Sequence, residues 1–121
     1  MKGKPEDFLP LPRAQLYILL ALADGDRHGY AIMQEVETET AGQMKLGPGT
    51  LYGAIKTLLG AKLISETESR VDLEMNDERR RYYKLSDLGS RVLAAELRNL
   101  ADVVKLGRTR GVLERALPDP S

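Results

Sequence analysis

Apolar positions in this chain follow a helical spacing over most of its length and alternate over one short stretch. Between Leu46 and Leu59, Leu51, Ile55 and Leu58 stand at i, i+4 and i+7, the spacing of a single buried helical stripe. Pro48 suits the first position of that helix, because its missing N–H has no partner there and its fixed φ already matches. Gly49, Thr50, Tyr52, Gly53, Lys56 and Thr57 are left for the outer side. Upstream, Pro10 and Pro12 bracket the start of an earlier helix with Leu16, Leu19, Leu20 and Ala23 as its inner face. Ile18 and Leu22 make it apolar nearly all round, which places it centrally. Asp24-Gly25-Asp26 stops it, with Gly25 the candidate for a left-handed cap. His28-Gly29-Tyr30 opens a second helix to about Thr40, with Ile32, Met33 and Val36 inward, and Thr40-Ala41-Gly42-Gln43 turns the chain.

Downstream the period changes. Leu63-Ile64 begins a strand that continues through Glu68, and Arg79 to Leu85 reads as the return strand. Arg81, Tyr83 and Leu85 fall on one side of it, and Arg80, Tyr82 and Lys84 on the other, a pattern suited to a half-buried pleated surface. Val71 to Glu78 forms a polar tip with Asn76-Asp77 as a turn. Ser86 then caps a long helix running to about Leu106, its hydroxyl placed to accept from an orphan N–H. Leu93, Leu97, Leu100 and Val104 step by four, three and four, as in a coiled-coil seam, and Val92 and Val103 widen it. Such a stripe needs cover. A second copy of the chain is the economical answer, and folding back on its own domain is the alternative. Gly107 and Gly111 break the pattern, and Val112 to Leu117 adds a helical turn or two.

Two short helices joined by a Gly-containing turn and followed by a hairpin make a winged helix-turn-helix. The fold expected is therefore mainly α with a small β-hairpin. Its parts are a flexible N-terminal arm over residues 1–9, the winged domain over 10–85, and a C-terminal dimerisation helix and tail over 86–121.

The 121 residues suit one domain with a real core. Cysteine is absent, which excludes disulfide scaffolds, thiolate metal sites and cysteine nucleophiles, and fits a reducing cytoplasm. No signal peptide is visible, and the most apolar segment, Leu16 to Ala23, is too short to cross a bilayer. With 18 basic and 18 acidic residues the chain is neutral, so only the distribution of charge is informative. Asp24 to Glu39 is acidic, Lys45 to Lys62 holds no acid at all, Glu66 to Glu78 is mostly acidic, and Arg79 to Lys84 is basic.

An enzyme lacks its parts here. His28 is the only histidine and sits at a helix start, where local hydrogen bonding explains it. Asp24 and Asp26 belong to a turn, and Glu35, Glu37 and Glu39 point to different helix faces, so no catalytic, cofactor or metal site is expected. Gly47-Pro48-Gly49 lacks the length and the lysine of a phosphate loop. With no tryptophan and one phenylalanine there is little from which to line an aromatic drug pocket. An effector site between subunits stays open, with no residue pointing to it.

What the pattern does offer is a surface for double-stranded DNA, where phosphate contacts give affinity and a few base-edge contacts give choice. Lys56 and Thr50 are spaced to reach a groove, and Gly49 and Gly53 let the backbone come close. Lys45, Tyr52, Thr57, Arg80, Arg81 and Lys84 complete the surface, with Arg80 and Lys84 together on a phosphate-facing side. Tyr30 and Gln34 on the preceding helix are placed to touch phosphate, with Arg13 ranked lower. The dimer contacts expected are Leu93, Leu97, Leu100, Val103 and Val104.

This series resembles the PadR family of bacterial transcriptional regulators. Its marks are the apolar helix Leu11 to Leu22, His28-Gly29-Tyr30-Ala31-Ile32, and Pro48-Gly49-Thr50-Leu51-Tyr52 with Ile55 and Leu58. Leu63-Ile64 and Arg81-Tyr82-Tyr83-Lys84-Leu85-Ser86 with Gly89 complete it. The resemblance implies a cytoplasmic homodimer that binds operator DNA, usually as a repressor, with the helix after the wing supplying most of the dimer contact. Three departures stand out. Gly47 replaces a usual capping Ser. Lys62 stands where the family has Gly. The wing tip carries Asp72, Glu74, Asp77 and Glu78, which phosphate would repel. Two rival readings follow, a winged-helix module that binds proteins and a sensor whose DNA release is induced by a small molecule.

Overall fold

The computed structural model describes residues 3–67 and 81–116. A short 3-10 turn, Pro5–Phe8, leads into α1 (Arg13–Ala21), β1 (Arg27–His28), α2 (Gly29–Glu39) and α3 (Pro48–Gly60). Then follow β2 (Ile64–Thr67), β3 (Tyr82–Leu85), α4 (Asp87–Thr109) and α5 (Val112–Ala116). The strands form one antiparallel sheet in the order β1-β3-β2. β2 and β3 are the stem of the expected hairpin, with Ile64 opposite Leu85 and Thr67 opposite Tyr82. β1 was not legible in the sequence, since two residues carry no alternation; it adds Arg27 and His28 to the outer edge of β3.

The core gathers around α1, which packs against α2, α3 and α4. Ile18 and Leu19 are fully buried there with Ile32, Leu51, Ile55, Leu58 and Val92. The buried residues of α1 are Leu16, Ile18, Leu19 and Ala21, with Leu22 buried at its C-cap, not the expected Leu16, Leu19, Leu20 and Ala23. Leu20 is turned outward, and Ala23 lies beyond the end of the helix, where its spacing no longer holds. Gly25 is not a left-handed cap either. The chain leaves α1 through Leu22 in the right-handed region, and Gly25 has no positive φ. Arg27 closes that end instead, its Nε donating to the Ala21 carbonyl (2.7 Å) and its guanidinium reaching Asp24 and Glu35.

The arm expected to be loose is held in its described part. Phe8 and Leu9 pack on the core, the 3-10 turn lies against α4, and the Leu11 N–H donates to the buried Glu96 carboxylate (2.9 Å). Nothing local in the sequence joins residues 85 positions apart. α4 begins as expected, with Ser86 Oγ accepting from the Gly89 N–H (2.9 Å), and it runs to Thr109 rather than Leu106. Gly89 is required where it stands, because a Cβ there would collide with the Leu63 carbonyl.

Two helix ends carry left-handed residues that are not glycine. After α3, Ala61 remains right-handed and Lys62 has φ 64°. The Leu63 N–H reaches back to Leu58 O and the Lys62 N–H to Leu59 O, so both orphan carbonyls are satisfied. Ala41, with φ 52°, ends α2 in the same way, with Gly42 donating to Glu37 O and Ala41 to Thr38 O. α3 does stop at Gly60, yet Lys62 still takes the left-handed position.

Candidate nucleic-acid interface

α3 is built as the spacing predicts, with Pro48 at its first turn and Leu51, Ile55 and Leu58 buried. Gly47 precedes it in an extended conformation with no side-chain cap, a substitution tolerated within a few tenths of a kcal/mol. Gly49, Thr50, Tyr52, Gly53, Lys56 and Thr57 are all exposed, so one helix brings six of the candidate residues onto one surface. Lys45 is exposed just ahead of it, and Tyr30 and Gln34 are exposed on α2, which touches α3. Among the described residues, nothing outside the helix's own backbone lies within 4 Å of where a Cβ would stand at Gly49 or Gly53. Thr57 turns its hydroxyl back to donate to Gly53 O (3.2 Å).

Tyr52 has a double placement. It is half exposed, yet its hydroxyl end rests on Gly29 at the start of α2, where a Cβ would meet the ring Cζ at 2.8 Å. Gly29 is thus the seat for Tyr52 and fixes α3 against α2. Beside it, the His28 Nδ1 accepts from the Ala31 N–H (3.1 Å) and so caps α2, while its ring meets Tyr82 edge-on at 5.4 Å. The hydrogen-bonding role expected of His28 is the one observed.

On the sheet, Lys84 is exposed and Tyr83 is buried. Burial, reinforced by the negative Glu66 and by Tyr52, holds the Tyr83 hydroxyl above the ordinary phenol range, with Arg81 opposing. Arg81 is solvent-exposed and paired with Glu66 at 3.3 Å, which offsets part of its charge toward any phosphate. Arg80 and the acidic tip residues Asp72, Glu74, Asp77 and Glu78 lie outside the described residues. Of the seam on α4, Val92 and Leu93 are spent inside the chain, Leu93 being 5% exposed. The open stripe starts one step later, with Leu97, Leu100, Val103 and Val104 on the surface. The residues that sequence reasoning missed, Arg27 and Glu96, act across elements, and no local pattern announces such contacts. Among the described residues no helix is long and apolar enough to cross a membrane.

A central α1 packed by α2, α3 and the long α4, with a hairpin stem between α3 and α4, defines a winged helix-turn-helix protein. The profile of the Transcriptional regulator PadR-like family matches residues 18–95, more than half of the chain, and the chain belongs to that family. Members of that family are transcriptional regulators. A 37.1 kDa protein of transposon TN4556 from Streptomyces fradiae is 38% identical over 106 residues. The match takes in 88% of this chain, but the chain spans only about a quarter of that relative's length (27%). A PadR family transcription regulator from Clostridium difficile superposes with a TM-score of 0.67 at 24% identity, covering 81% of this chain and 97% of its own. Bacillus subtilis PadR, solved in complex with operator DNA, superposes with a TM-score of 0.63 at 22% identity over 73% of this chain and 48% of its own.

Proposed function

We propose that this chain represses transcription in the cytoplasm by binding a twofold-symmetric operator as a homodimer. α3 enters the major groove, and the open stripe of α4 pairs with a second copy. The observation that carries the reading is the outer surface of α3, which holds small residues, hydroxyls and Lys56 in a stretch without a carboxylate from Lys45 to Lys62. Phosphate meets nothing there to repel it. Tyr30, Gln34, Lys45 and Lys84, all exposed, extend the contact to the backbone on either side. A symmetric dimer sets its two recognition helices about one duplex turn apart, roughly 34 Å. The relative of known DNA-bound structure, Bacillus subtilis PadR, supports the mode, as does the family itself.

The test is a mobility shift on the DNA upstream of the chain's own gene, repeated across salt concentrations. Affinity should fall steeply with salt, and Lys56→Ala should flatten the log–log slope by about 1. Failure to bind any duplex at low ionic strength overturns the proposal.

A further inference from the structure

The way α3 would choose its sequence follows from which groups its outer surface lacks. Base edges are most sharply read by side chains that bond twice, Arg or Lys to guanine and Asn or Gln to adenine. From Pro48 to Gly60 there is no Arg, Asn or Gln, and Lys56 is the sole cation. At about 100° per residue, Gly49, Gly53 and Gly60 fall opposite the buried Leu51, Ile55 and Leu58, so the crest of the helix is bare backbone. Tyr52 and Lys56 flank that crest on one side, and Thr50 and Thr57 on the other. Thr57 has already given its hydroxyl proton to Gly53 O, which leaves its methyl and oxygen lone pairs for an incoming base.

Thr50 and Thr57 are two turns apart, about 10 Å along the axis, close to the length of three base-pair steps. A threonine methyl is a partner for the C5-methyl of thymine. We infer that α3 selects its half-site by packing the Thr50 and Thr57 methyls against two thymine methyls about three base pairs apart in the major groove. The bare crest lets the helix sit deep enough for both contacts. This inference rests on the DNA-binding reading above.

The test uses the full chain and a duplex it selects from a randomised pool, resynthesised with deoxyuridine for one thymine at a time. Deoxyuridine keeps base pairing and removes only the methyl. Two positions per half-site, about three apart, should each lose about fourfold in affinity, the effect of exposing one methyl-sized group. Thr50→Ser and Thr57→Ser should lose a similar factor on the thymine duplex and become indifferent to deoxyuridine at the matching position. Thr57→Val, which keeps the methyl and drops the hydroxyl, should bind as the parent does, with thermal melting confirming that each variant is folded. Undiminished binding to every deoxyuridine duplex overturns the inference while leaving DNA binding intact, as does a pattern in which Ser retains affinity and Val loses it. A chain that selects no duplex removes the DNA-binding reading and this inference together.

Discussion

Lys62 holds a φ of 64° at the end of α3, a conformation that a side chain disfavours by about 1–2 kcal/mol. Glycine would remove that strain, offset by about 0.5–1 kcal/mol of extra freedom in the unfolded chain. Lys62→Gly should therefore stabilise the fold by about 0.5–1 kcal/mol, read as a higher denaturant midpoint with an unchanged slope. A lower midpoint would show that the Lys62 side chain contributes more than its backbone costs. At this scale the sequence was informative where chemistry is local: Pro48 at a helix start, Ser86 as a cap and His28 in local hydrogen bonding, while Lys62 in a glycine's place came from the family resemblance. It misled at Gly25, since a glycine after a helix signals a left-handed cap only when the chain turns that way. Here the Arg27 guanidinium closes α1 from six residues downstream.

Among the elements, α4 and the N-terminal segment are joined by one buried bond, from the Leu11 N–H to Glu96. Removing the acceptor leaves a buried donor without a partner, which costs about 1–3 kcal/mol. Glu96→Ala should lose about 2 kcal/mol in chemical denaturation. Glu96→Gln should lose less, because the amide oxygen still accepts. Equal losses would mean that the carboxylate charge, not the acceptor, is what matters. α1 to α4 and the hairpin stem were legible because each has a period or a cap of its own. β1 was not, being two residues whose only reason to be a strand is β3 alongside. The arm was misjudged for a related reason. Nothing in residues 1–9 alone marks a place to pack, whereas Phe8 and Leu9 find their cover on elements encoded later.

For the whole molecule, the telling surface is α4 beyond Leu93. Leu97, Leu100 and Val104 are 40%, 39% and 47% exposed and, at helical spacing, line one side of α4, with the more exposed Val103 widening it. In the proposed dimer this stripe is the seam, and Leu100→Asp should convert the protein to monomers by sedimentation while leaving the melting of the winged domain in place. A parent protein that is monomeric at micromolar concentration would refute the dimer. The α4 periodicity was legible as a seam, but its starting point was not, since only the packed fold reveals that Leu93 is already taken. Ser86 adds a mechanical consequence. Its Oγ donates to Lys62 O at 2.7 Å while capping α4, and its N–H donates to Leu63 O, so the chain leaving α3 is riveted to the start of α4. With 23 residues, α4 is a lever about 35 Å in length. A tilt of about 10° at its far end would swing the riveted end by about 6 Å, which in the proposed complex is nearly two base-pair steps of reach.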